Sequence, residues 1–132
     1  MEAWPQGIFA ITLFTEDLAE TTRFYREVFG LPLAFADEHS AVFNFGNTLI
    51  NLLATSAAPE LIEPASVAPP DAGARLQLTI QVPDVDRLCD ALTARGVLLL
   101  NGPLDRPWGV RTATFRDPGG HIWEIAQELA GQ

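Results

Sequence analysis

The chain has 132 residues, 48% of them hydrophobic and 19% charged, which is the composition of a folded globular protein rather than a disordered one. The 17 acidic and 8 basic residues give a net charge of −9, which repels nucleic-acid phosphates and anionic membranes, so neither is expected as a partner. One cysteine excludes an internal disulfide, and without a membrane-spanning run or a signal peptide we expect a cytoplasmic location.

The first half of the chain predicts a strand, a helix and three further strands. Residues 8–14 are rich in β-branched and aromatic side chains, which favours a buried strand. Asp17 opens a capping-box pattern that predicts a helix start, and Gly30 predicts the helix end. Further strands are expected at 32–37, 40–46 and 48–53.

The second half of the chain repeats this order. A strand is expected at 75–82, and a helix opens at Asp84 and closes at Gly96. The helix carries Cys89 on its apolar face, where we expect a buried thiol. The remaining strands are expected at about 97–101, 110–116 and 121–127.

The two halves have the same internal spacing. Asp84 follows Asp17 by 67 residues, and Gly96 follows Gly30 by 66. A fixed period of this kind predicts a repeated structural unit. We therefore expect an α+β protein with a single domain over residues 1–132. It contains two βαβββ modules at about 7–53 and 75–128, joined by a proline- and alanine-rich linker over 54–74.

Two longer stretches carry a family resemblance. The segments DLAETTRFYREVFGLPL and WGVRTATFRDPGGHIWEIAQ, in the order βαβββ–βαβββ, resemble the vicinal oxygen chelate superfamily. Its members include glyoxalase I, extradiol dioxygenases and drug-binding proteins of the bleomycin-resistance type. The resemblance covers nearly the whole chain. It implies two curled mixed sheets, each with a helix on its convex face, that form a cup-shaped cleft, and it implies a homodimer.

The resemblance also implies where a metal would be bound. In the metal-dependent members, histidines and glutamates on the first and last strands of each module hold the ion. The flanking motifs carry these positions over to Ala10, Asn51, Gln77 and Glu124. Only Glu124 is of a type that binds a catalytic metal well, and one carboxylate cannot supply three or four ligands. We therefore expect no metal and no cofactor.

Strand alternation predicts which side chains share a face with these four positions. In the last strand the face of Glu124 also carries Ile122 and Ala126. If DPGG is a four-residue loop, Arg111 and Phe115 share the face of Glu124, and Arg111 can pair with it. Trp108 is expected at the mouth of the cleft, where it either stacks on a flat aromatic ligand or packs within its loop. We expect the ligand to contact the four carried-over positions and also Trp108, Arg111 and Phe115. The remaining predicted ligand-contacting residues are Thr12, Phe14, Leu49 and Thr79.

This mixture of apolar walls and a few polar groups is typical of a site for an organic small molecule. The first hypothesis is metal-independent binding and sequestration of a bulky, partly aromatic molecule such as an antibiotic, in a resistance role. The second hypothesis is a metal-free lyase, isomerase or cyclase in which Glu124 is the general base. A metalloenzyme of the glyoxalase or dioxygenase kind, with displaced ligands, is the third.

Overall fold

The computed structural model describes residues 3–130, so four terminal residues of the predicted domain lie outside the described part of the chain. The chain divides into two compact units between Ala68 and Pro69. Unit 1 precedes this point, unit 2 follows it, and the point itself lies inside the predicted linker. Each unit contains one four-stranded mixed sheet, so the α+β class and the two βαβββ modules are confirmed.

Unit 1 has a sheet with the strand order β1-β4-β3-β2, in which β1 and β4 are parallel and the other pairs are antiparallel. Its elements are β1 (Ala10–Thr15), α1 (Leu18–Val28), β2 (Leu33–Ala36), β3 (Ser40–Asn44) and β4 (Leu49–Ala54). A 3₁₀ turn (Thr55–Ala57) and the short helix α2 (Pro59–Ile62) follow within the predicted linker.

Helix α1 begins at the predicted residue because the Asp17 carboxylate accepts a hydrogen bond of 3.0 Å from the Glu20 amide. Its buried face contributes Tyr25, whose ring lies 5.6 Å from that of Phe43 in β3. The hydroxyls of Thr15 in β1 and Thr21 in α1 are hydrogen-bonded at 2.8 Å. These contacts fix which face of the sheet α1 covers.

Unit 2 has the equivalent strand order β5-β8-β7-β6, in which β5 and β8 are parallel. Its elements are β5 (Gln77–Gln81), α3 (Val85–Ala94), β6 (Leu99–Asp105), β7 (Val110–Arg116) and β8 (Ile122–Glu128). Asp84 caps α3 by accepting a 3.1 Å hydrogen bond from the Arg87 amide. Cys89 faces the sheet and is 4% exposed, which confirms the predicted buried thiol.

The hairpin between β7 and β8 has one residue more than predicted. Arg116 and Ile122 form its last pair, and the Asp117 amide donates to the His121 carbonyl at 3.0 Å. The connection is therefore five residues long, and the predicted four-residue loop is wrong. A shift of one residue turns every side chain of β7 to the other face of the sheet.

Two predicted site residues move with this shift. Phe115 pairs with Trp123, is 1% exposed and lies in the core on the helix side of the sheet. Arg111 lies opposite Gln127, and its guanidinium donates to carboxylate oxygens of Asp86 and Asp105, each at 2.9 Å. The predicted Arg111–Glu124 pair and the placement of Phe115 beside Glu124 are both wrong.

Strand β6 is also longer than predicted, because it continues through Gly102 and Pro103 to Asp105. A proline is tolerated here because β6 is the edge strand of its sheet and carries register shifts in its pairing with β7. No helix within residues 3–130 has the length and hydropathy needed to cross a bilayer.

Candidate functional site

In each unit one face of the sheet is covered by the helix, and the other is here called the open face. The open face of unit 1 carries all five of the ligand-contacting residues that were predicted in this unit, together with Val42 and Leu53. In each strand these side chains alternate with residues that face the helix. These five are Ala10, Thr12 and Phe14 of β1 with Leu49 and Asn51 of β4.

The polar centre of this face is a pair of neighbouring side chains. Thr12 and Asn51 are register partners, and Asn51 Nδ2 donates to Thr12 Oγ1 at 3.4 Å. Asn51 Oδ1 is buried and accepts no hydrogen bond from any described residue. A buried carbonyl without a donor costs stability, so a ligand N–H or O–H at this point would be favoured.

The open face of unit 2 carries a polar row that crosses all four strands, defined as Thr79, Glu124, Thr114 and Asn101. The row follows from the register, which pairs Thr79 with Glu124, Glu124 with Thr114 and Thr114 with Asn101. Thr79 Oγ1 donates to Glu124 Oε1 at 3.0 Å. Thr114 is 4% exposed, and its hydroxyl has no partner among the described residues.

The polar row has an arginine beside it that the sequence reasoning missed. Arg106, from the turn after β6, donates through Nε to Thr112 Oγ1 at 2.9 Å and through Nη2 to Asn101 Oδ1 at 3.0 Å. Thr112 shares the open face with Thr114 because the two are separated by one helix-facing residue. The cation of this face is thus Arg106 and not Arg111.

Two predicted residues lie at the margins of the unit 2 face. Gln77 is exposed and pairs with Ile122, two residues before the Thr79–Glu124 pair on each strand. Trp108 is 70% exposed in the β6–β7 turn, beyond the Val110–Glu128 pair. Glu128 is four residues past Glu124, so Trp108 lies roughly 13 Å or more along the strand from the polar row. Its indole is not packed within its loop.

The donor set does not fit the metal that the resemblance implies. Ala10 has no donor atom, Asn51 hydrogen-bonds Thr12, and Glu124 hydrogen-bonds Thr79. No group of three or more histidine, cysteine, aspartate or glutamate side chains within residues 3–130 is placed to hold a metal ion. A catalytic metal takes three protein ligands, so the residues present cannot form that centre.

The two histidines are engaged at turns. His121 Nδ1 lies 3.0 Å from both carboxylate oxygens of Asp117 within the β7–β8 connection. His39 Nε2 lies 3.5 Å from Glu38 Oε1 on the exposed turn between β2 and β3. Neither histidine lies within a strand, so neither takes the place of a metal-binding histidine on the open face of a sheet.

Comparisons with known proteins agree with this fold. The sequence profile of the Glyoxalase/Bleomycin resistance protein/Dioxygenase superfamily matches residues 7–125. The uncharacterized protein YraH of Bacillus subtilis (strain 168) is 33% identical in an alignment of 123 residues that covers 90% of this chain and 96% of YraH.

Solved structures match over most of their length as well. A glyoxalase/bleomycin resistance protein/dioxygenase from Nocardioides aligns with a TM-score of 0.87 at 24% identity, covering 100% of this chain and 89% of its own. A glyoxalase-related enzyme from Fulvimarina pelagi aligns with a TM-score of 0.80 at 28% identity, covering 94% and 89%. Such likeness establishes the scaffold, whereas activity depends on the side chains of the site.

Proposed function

Because the chain belongs to the Glyoxalase/Bleomycin resistance protein/Dioxygenase superfamily, we propose that it is a binding protein that sequesters a bulky organic small molecule without a metal ion. The ligand is an antibiotic or a related natural product, and sequestration serves resistance. The observation that carries the proposal is the donor set, in which Ala10, Asn51 and Gln77 stand where the metal-dependent members have ligands. Glu124 alone retains a carboxylate.

The chemistry of the open faces supports an organic ligand. The unit 1 face offers apolar contacts from Phe14, Leu49 and Leu53 around one amide acceptor, Asn51 Oδ1. Mostly apolar walls with a few fixed polar groups are typical of small-molecule sites. The small side chain of Ala10 also leaves room where a histidine would stand in a metal-dependent member.

Titration with a panel of aromatic natural products tests this proposal. We expect at least one compound to quench tryptophan fluorescence and to bind equally well before and after treatment with a chelator. Ala10→Phe should weaken that binding because its ring fills part of the open face. Ala94→Phe, on the exposed side of α3, is the control and should have no effect. Binding that requires an added divalent metal, or that ignores Ala10→Phe, would refute the proposal.

One observation favours a second function, that of a metal-free lyase, isomerase or cyclase. The Glu124 carboxylate is half-buried, accepts one hydrogen bond at Oε1 and has no ion-pair partner among the described residues, so Oε2 is free to accept a proton. Incubating the bound compound with the protein and following it by mass spectrometry separates the two functions. An enzyme converts the compound and loses turnover in Glu124→Gln, whereas a binding protein returns it unchanged.

A further inference from the structure

Glu124 and Thr114 together form an incomplete hydrogen-bonding site. Resting on the proposed function, we infer that the ligand of this protein carries a cationic nitrogen, an ammonium or amidinium group, bound between the Glu124 carboxylate and the Thr114 hydroxyl. This assigns a chemical class to the ligand and a specificity role to Thr114.

The Glu124 carboxylate has far fewer partners than it can accommodate. An ionised carboxylate offers about four lone-pair sites, and among residues 3–130 only Thr79 Oγ1 donates to it, at 3.0 Å. No arginine, lysine or histidine nitrogen of the described residues lies within ion-pair distance of it. The remaining acceptor sites of this half-buried carboxylate are open to a donor from outside the chain, and a cation is the electrostatically complementary donor.

Thr114 supplies an independent observation. Its side chain is 4% exposed, and its hydroxyl oxygen has no hydrogen-bond partner among the described residues. Because Thr114 is the register partner of Glu124, their Cβ atoms are about 4.5–5.5 Å apart on the same face. An ammonium group has three donors, so one such group can reach both the free Glu124 oxygen and the Thr114 hydroxyl.

The nearby arginine does not fill this role. The Arg106 guanidinium is held by Thr112 and Asn101 at 2.9 and 3.0 Å. Those contacts direct it toward the β6 side of the polar row. Of the four residues in the row, Glu124 is the one with a charged side chain, and that charge repels an anionic ligand group.

Unit 1 provides an internal comparison. At the positions equivalent to Thr79, Glu124 and Thr114, it has Thr12, Asn51 and Val42, in the same register. The neutral amide and the apolar valine cannot bind a cation in this way. The cation site is therefore specific to unit 2, and the net charge of −9 adds a long-range attraction for such a ligand.

A charge-matched series of flat probes tests the inference: 9-aminoacridine, which is a cation at neutral pH, acridine, which is neutral, and acridine-9-carboxylate, which is an anion. We expect the wild-type protein to bind 9-aminoacridine about tenfold or more tightly than acridine, since a charge-assisted hydrogen bond is worth about that factor. Calorimetry at constant ionic strength measures the three affinities.

Matched variants locate the effect. Glu124→Gln should remove the preference for 9-aminoacridine over acridine. Glu128→Gln makes the same change on the same strand at an exposed position and should preserve the preference. Thr114→Val should weaken 9-aminoacridine binding, and Thr114→Ser, which keeps the hydroxyl, should restore it. Circular dichroism confirms that each variant is folded.

Several outcomes would overturn the inference. Equal affinity of the wild-type protein for 9-aminoacridine and acridine would show that charge is not recognised. Equal losses in Glu124→Gln and Glu128→Gln would assign the preference to net charge alone. If none of the three probes binds while a neutral natural product of the panel does so in an Ala10→Phe-sensitive manner, the cation site is refuted and the binding function stands. If the panel also fails, both are refuted.

Discussion

Gly102→Ala is expected to destabilise the protein strongly, because β6 approaches β7 closely at this residue. Gly102 has φ +87° and lies in the irregular pairing between Asn101 and Leu104. A β-carbon added there would overlap the Thr112 carbonyl oxygen and would lie 2.8 Å from Ala113 Cα and 3.0 Å from its Cβ.

The magnitude has two parts. A side chain at this positive φ costs about 1–2 kcal/mol. Relieving the overlap requires β6 or β7 to move, and overpacking of this kind costs about 1–3 kcal/mol. Ala113 is fully buried and β7 lies between two other strands, so the neighbour cannot easily give way. The free energy of unfolding should fall by about 2–5 kcal/mol, equivalent to a melting temperature lower by roughly 10 °C.

Gly96→Ala is the matched control. Gly96 has φ +81° at the end of α3, and a β-carbon added there would meet nothing within 4 Å. Only the cost of about 1–2 kcal/mol for the backbone conformation therefore applies to this variant. Urea denaturation followed by circular dichroism measures both variants. Equal losses of stability in the two variants would refute the steric explanation for Gly102.

Three further predictions follow from individual side chains. Hydrogen bonds from the His39 amide and then from Ser40 lower the pKa of Asp37 in the folded protein. The ionised carboxylate therefore stabilises the fold above the unfolded-state pKa of Asp37, and this stabilisation is lost as the pH falls through the lower folded-state pKa. In urea titrations Asp37→Asn should therefore be less stable than the wild type at neutral pH and equal to it in strong acid; equal stability at neutral pH would contradict this. Burial, followed by the charges of Asp86 and Asp90, raises the pKa of Cys89, so a thiol reagent should react much faster with the urea-unfolded chain than with the native protein, and equal rates would contradict it. The expected homodimer should be visible by light scattering, and a monomeric wild type would exclude it.

The fold was predictable because its local signals agree with its tertiary packing. The caps at Asp17 and Asp84 are both formed in the structure. Each cap follows a strand whose alternation is set by one buried face, and the repeated spacing places the same elements in both units. Signals that act within a few residues of each other can be read from sequence directly.

The site was predictable only in part, because strand register depends on a loop whose length the sequence leaves ambiguous. The predicted register included His121 in β8, whereas His121 lies in the turn. That difference of one residue placed Arg111 and Phe115 on the wrong face of the sheet in the prediction. The five residues selected on the unit 1 face did not depend on a loop count, since their parallel strands are each anchored by buried neighbours.

Arg106 was missed for a different reason. Its position depends on the continuation of β6 through Gly102 and Pro103, and that residue pair normally indicates the end of a strand. The alternation of Thr112 and Thr114 in β7 indicates a polar face. Which face of the sheet it lies on depends on the length of the β7–β8 loop.

The difference between the two central pairs, Thr12 with Asn51 and Thr79 with Glu124, has an evolutionary consequence. In a symmetric assembly of identical single modules, any substitution appears in every copy at once. Fusion of two modules in one gene removes that constraint, so one copy can keep a charge while the other becomes neutral. A chain of this kind can acquire two chemically different open faces, one substitution at a time and without loss of the shared scaffold.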